Sequence, residues 1–313
     1  MEKLSIALPY SDYVQSANTL FHFMGKSTYL IDLLKNRRIV PRYCVEDIGY
    51  LNVHAGERLF SKIAVLQKCF CDIPFHKLTD IFEVNGIGEN FDSLTDSEKL
   101  ELANNNSHPD YYGKYAIAFS KRWGESHCLQ PVQYVNEESA YTAEFSQTLA
   151  NVLIANDLPE IYADDILRRL SYMKPLRGIM SRLFKRKHST SVRIEMRKNF
   201  HDECEWRYVP SIYILAEAKL SCIIANPNII ELVDSISAIN QSLASERYRK
   251  LWLEFNYDDI RYIIVPDTQA RIDIIETILS ISDNQFLDPK QAQRERYILI
   301  SKILVLDEVR KDW

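Results

Sequence analysis

From Glu203 to Tyr208 the side chains change character at every step: Glu203, Cys204, Glu205, Trp206, Arg207, Tyr208. Successive side chains of a β-strand point to opposite faces. The alternation therefore predicts an extended segment with Glu203, Glu205 and Arg207 on one face and Cys204, Trp206 and Tyr208 on the other. Two carboxylates and a guanidinium then stand in a row over an aromatic anchor. Such a row fits the wall of a polar site, and it equally fits a surface ion-pair ladder.

Composition limits what the row can belong to. With 46% hydrophobic and 26% charged residues, the 313-residue chain can bury a core as one large domain or two small ones. A net charge of -5 gives no global attraction to nucleic acid or anionic membrane. No run approaches the roughly 18 apolar residues of a membrane helix. The stretch from Met1 to Pro9 lacks the long apolar region of a secretion signal, so a cytoplasmic location is expected. Cysteines 44, 69, 71, 128, 204 and 222 form no paired framework and read as reduced core residues. Cys69 and Cys71 have no second pair to complete a zinc site, so no metal is expected.

Periodicity predicts strands over residues 19–24 and 66–75, the latter closed by Pro74, and a helix over 27–36 with a serine cap and Leu30, Leu33 and Leu34 on its inner face. Residues 86–109 are polar and aperiodic, the pattern of a mobile lid or insertion. A turn and strand over 111–120 and a strand over 130–135 are expected to be antiparallel neighbours. Helices are expected over 142–155, 160–173, 227–243 and 269–282. Extended segments are expected over 195–210, 213–215 and 260–265, and 291–307 fits either a helix or a strand. No internal repeat or linker demands a boundary, so residues 1–313 read as a single α+β domain.

Several stretches, taken in order, resemble one family. They are Leu20-Phe21-His22-Phe23 followed by a helix and Ile39-Val40-Pro41, residues 69–74, residues 108–119, Trp123-Gly124, residues 131–134, Lys174-Pro175, residues 202–210 and residues 253–265. Together they resemble the AbiGi family of abortive-infection phage-resistance proteins, whose members carry an antitoxin label. Met24 stands where the family commonly has threonine, and His201 and Cys204 where it commonly has tyrosine and arginine. Neither change touches the two glutamates.

A wider resemblance concerns chemistry. A histidine on the first strand, an aromatic residue near a middle strand and a glutamate on a late strand are similar to the His-Tyr-Glu arrangement of ADP-ribosyltransferases. The start of the chain is similar to that of DarT-type toxins, and no Ser-Thr-Ser element of other transferase branches is present. The resemblance implies mixed, mainly antiparallel sheets with flanking helices, and NAD as substrate. Cleaving nicotinamide from ribose leaves positive charge on the sugar, which a carboxylate beside it stabilises in the transition state. By resemblance Glu205 would hold the ribose and Glu203 would orient or deprotonate the acceptor. Tyr112 or Tyr115 would stack on nicotinamide, His22 would hold the other ribose, and Arg207 would take a phosphate or pin the glutamates. The bland rivals are a satisfied core histidine at 22 and packing roles for two of 18 tyrosines.

Residues 168–198 carry eleven lysines and arginines against one acid, Glu195. They fit a basic helical insertion within 142–198 that steers nucleic acid, an acidic partner's docking face, or plain solvated surface. The resulting expectation is an anti-phage effector: an NAD-dependent ADP-ribosyltransferase toxin restrained by a cognate antitoxin or regulatory protein. The competing expectation is a non-catalytic antitoxin or sensor of an abortive-infection system.

Overall fold

Alternation of large and small side chains builds the centre of the molecule. In β1 (Thr19–Met24) Leu20, His22 and Met24 share one face with Ile117 and Phe119 of β4, while Phe21 and Phe23 share the other with Ala116 and Ala118. The computed structural model describes residues 16–312 apart from 56, 83–85, 88, 155–159 and 187–189. The residue 1–9 reading and Lys187 lie outside the described residues.

Along the chain, β1 leads into α1 (Ser27–Asn36), then β2 (Arg42–Asp47) and β3 (Lys62–Cys71). Next come α2 (Asp96–Asn104), α3 (His108–Tyr112), β4 (Tyr115–Ser120), β5 (Gln130–Pro131) and β6 (Gln133–Val135). Helices α4 (Ala140–Ile154) and α5 (Glu160–Leu170) precede β7 (Met173–Pro175), β8 (Arg177–Phe184), β9 (Val192–Asn199) and β10 (Glu205–Tyr208). The remainder includes β11 (Ile223–Ile224), β12 (Ile260–Val265), α6 (Thr268–Leu279), α7 (Ala292–Ser301) and β13 (Ile303–Val305).

The main sheet runs β13-β12-β4-β1-β3-β10-β5, with β2 and β11 also on β3. Its pairs are antiparallel except β12 with β13. The fold is thus mixed α+β with mainly antiparallel sheets. Strand β3 serves two neighbourhoods: residues 62–67 pair with β2, and Lys68 to Cys71 pair with β10. One face of the sheet packs Phe70, Phe119, Trp123 and Trp206 against α1 and α6. Phe119 and Trp123 stack at 4.0 Å, each such ring burying about 150–250 Å².

Several expectations are corrected. Helix α1 has the expected bounds and buries Leu30, Leu33 and Leu34, but Lys26 is its N-cap and no side chain caps it. Residues 213–215 are helical, within Ile212–Ala218, because the Ser211 hydroxyl accepts from the Ile214 N–H and starts a helix. Within 86–109 lies the capped helix α2, with Thr95 and Glu98 bonded reciprocally, so much of that stretch has regular structure. Strands β4 and β5 are not neighbours; β5 pairs with β10. The basic stretch is helical only at its start, since β8 and β9 form an antiparallel ribbon. Residues 291–307 hold both α7 and β13.

Candidate functional site

The row begins later than the alternation predicts. Glu203 ends a 3-10 turn, Phe200–Glu203, and Cys204 turns the chain with a φ of 43° before β10 starts at Glu205. The turn still delivers Glu203 to the side where Glu205 and Arg207 point. There all three are buried, at 2%, 4% and 1% exposure. The ion pairs of a ladder are present, but in the interior and not on a solvated face.

Arg207 grips Glu205 with Nε to Oε1 at 2.7 Å and Nη2 to Oε2 at 3.3 Å, and its Nη1 donates to the Ser171 carbonyl at 2.9 Å. The same guanidinium lies 3.2 Å from Glu46, which also accepts from Gln67 at 2.6 Å. Lys174 bridges the two acids, 2.7 Å from Glu203 and 3.0 Å from Glu205. Lys198 reaches Glu203 at 3.0 Å, and the Tyr112 hydroxyl donates to the same carboxylate. The Tyr134 hydroxyl accepts from the Glu205 N–H at 2.8 Å. Lys174, Lys198 and Arg207 thus face Glu46, Glu203 and Glu205, a neutral set of three against three.

Burial alone would raise the Glu205 carboxyl, but the charges of Arg207 and Lys174 outweigh it and hold the group well below the usual carboxylate range. Burial opposes the Lys174 charge, and Glu205 and Glu203 overcome it to lift that ammonium above its ordinary range. Burial and Glu203 push the Tyr112 phenol well up, so it stays protonated and able to donate. His108, stacked between Phe23 and Tyr112, is held well below the imidazole range by burial and by Lys198 and Lys174. Gly113 lets α3 sit this close: at φ 116° a Cβ there would strike the Met24 carbonyl.

The six residues expected at the site divide between two faces. Tyr112 and Arg207 join Glu203 and Glu205. His22 and Tyr115 do not, because their register places them with Ile117 and Met24 on the opposite side of the sheet. The His22 ring lies 5.4 Å from Phe70, and its Nδ1 donates to the Cys69 carbonyl at 2.9 Å. Phe70 pairs with Trp206, whose side chain points away from the glutamates. Lys174, Lys198, Glu46, Tyr134 and His108 were not foreseen as site residues. Tyr134, Lys174 and His108 fall in stretches that carry the family resemblance, and Lys198 ends the basic stretch 168–198; Glu46 gives no local signal.

Among the described residues, no group of three or more His, Cys, Asp or Glu is placed to hold a metal. No helix among them is long and apolar enough to cross a membrane. No solved structure is a significant match. Residues 93–266 match the family described as "Putative abortive phage resistance protein AbiGi, antitoxin". The abortive phage resistance protein AbiGi of Lactococcus lactis subsp. cremoris is 32% identical over 282 residues, spanning 88% of this chain and 99% of that protein. The chain therefore belongs to the AbiGi family of abortive phage resistance proteins.

Proposed function

We propose that this chain acts in anti-phage defence as the non-catalytic restraining component of an abortive-infection system, holding a toxic partner by binding it. One observation carries the reading. The carboxylates best suited to steady an electron-poor sugar are already neutralised by Lys174, Lys198 and Arg207 and closed off from solvent. The imidazole expected to share their ligand lies on the other face of the sheet. The antitoxin description of the family supports the same reading.

A docking face for the partner is provided by the β8–β9 ribbon. Arg177, Ile179 and Leu183 on β8 and Arg193 and Arg197 on β9 all point outward, with Ile179 60% and Leu183 59% exposed. Arginines interleaved with aliphatic side chains suit an acidic protein surface. Nucleic acid is the other polyanion such a ribbon attracts.

The second reading is an NAD-dependent ADP-ribosyltransferase. It is favoured by the placing of Tyr112 on Glu203 and Arg207 on Glu205, and it requires the Lys174 bridge to open when NAD enters. Expression in a bacterial host separates the two. The chain alone is expected to be harmless and to restore growth to cells expressing the toxin encoded beside it, and a folded Glu205→Gln variant should do the same. Growth arrest by the chain alone, abolished by Glu205→Gln, would overturn the restraining role in favour of the transferase.

A further inference from the structure

A cleft of about 260 Å³ opens where the end of β1 turns into α1, closed on its far side by the start of β2 and the middle of β3. Arg38, Arg42 and Lys68 line it with a single acid, Asp32. Lys68 has no carboxylate within ion-pair distance among the described residues. Burial opposes its charge, and its charged neighbour is a second cation, Arg42. Arg38 lies over the Trp252 ring at 4.1 Å and 3.7 Å from the exposed Glu246, and its Nε is buried without a hydrogen-bond partner.

The imidazole of His22 also lines this space. It is 8% exposed, and its Nδ1 is committed to the Cys69 carbonyl, which leaves Nε2 unpartnered among the described residues. The rim carries Tyr29, 44% exposed, with the Arg42 guanidinium 5.7 Å from its ring centre. Burial and the neighbouring Lys68 hold the His22 imidazole down to about 3, and burial likewise lowers Lys68. Like charges gathered in a partly enclosed space repel one another and lose hydration. An acidic chain that matches every charge of its Glu205 network leaves Lys68 and Arg42 without a carboxylate at ion-pair distance among the described residues, as an anion site requires.

We propose that this cleft binds a small phosphate-bearing ligand, with the phosphate between Lys68 and Arg42 and beside the open Nε2 of His22. Arg38 closes the charge on the α1 side, and the Tyr29 ring offers a face to the ligand's organic part. The site is independent of the restraining role: it would make the chain responsive to a small molecule whatever protein it holds.

Calorimetric titration of the full chain with pyrophosphate and adenosine monophosphate, and with adenosine as the phosphate-free control, tests this. At least one phosphate compound is expected to bind, adenosine is not, and raising the salt should weaken binding. Lys68→Met and Arg42→Ala should each weaken the affinity by about 10-fold or more, roughly the loss of one charge-assisted contact. Lys290→Ala, a distant exposed lysine, serves as the charge-matched control and should change nothing. Arg42 is exposed, so its variant keeps the test open if Lys68→Met fails to fold. Failure of both phosphate compounds to bind at about 10 mM, equal binding of adenosine, or affinities within about 2-fold of the parent in both variants would overturn the proposal.

Discussion

The Glu205 carboxylate and the His22 imidazole lie on opposite faces of the main sheet, and their two surroundings treat charge in opposite ways. In the network three cations meet three carboxylates at ion-pair distance, with only Lys174 and Glu46 more than a tenth exposed. In the cleft Arg38, Arg42 and Lys68 share the lining with one acid, Asp32, and only Arg38 has a carboxylate at ion-pair distance among the described residues, the exposed Glu246. A charged row in a strand is thus weak evidence for a ligand; charges left without an internal partner are stronger. Removing one member of a matched buried set strands the others, whereas removing a half-buried cation that has no counter-charge relieves the fold.

That contrast can be broken most sharply at Arg207. Arg207→Met leaves Glu205 with only Lys174 and deprives Glu46 and the Ser171 carbonyl of a donor. Urea unfolding is expected to register a loss of about 3–5 kcal/mol. A loss under about 1 kcal/mol would mean the network is slack.

Acid titration separates the two faces next. The folded His22 imidazole sits at about 3, below its unfolded value of roughly 6.5, so the unfolded chain binds the proton first. Its contribution is complete above about pH 6.5 and is lost as pH falls toward 3, at up to roughly 1.4 kcal/mol per pH unit, with buried His108 adding in the same direction. The depressed Glu205 carboxyl contributes above its unfolded value of about 4.3 and is lost only as pH falls below that. Stability measured between pH 6.5 and 4.5 should therefore lose part of its slope in His22→Gln, with His108 supplying the rest, and keep its slope in Glu205→Gln. Equal slopes in both variants would show that the two faces are not distinct.

The smallest effect has the opposite sign to the first. Without ligand, Lys68→Met is expected to stabilise the chain by about 1 kcal/mol, raising the melting temperature by roughly 2–4 °C. A fall of similar size would mean that Lys68 is matched by something in the fold after all.

The sequence revealed elements better than it revealed their meeting points. Strand β1 and helix α1 were legible to the residue because their apolar spacing is regular. The burial of Glu203 and Glu205 was not legible, because Lys174 and Lys198 reach them from β7 and β9, and Arg207 is shared with Glu46 of β2, 159 positions before Glu205. The split of His22 from Glu205 was also hidden. It depends on register across β1, β3 and β10, and a one-residue slip in register exchanges the faces. Residues 213–215 were misread because a short apolar run fits strand and helix alike, and only the Ser211 cap decides between them.

Strand β3 carries one further consequence, for the order of synthesis. Its partners come from residues 19–24, 42–47, 205–208 and 223–224, so half of its edges wait for chain made about 140 residues later. Until then a ten-residue, largely apolar ribbon has open backbone groups along much of its length. Closing contacts so far apart in the chain is slow, so this apolar strand stays open to mispairing until residues 205–224 have been made.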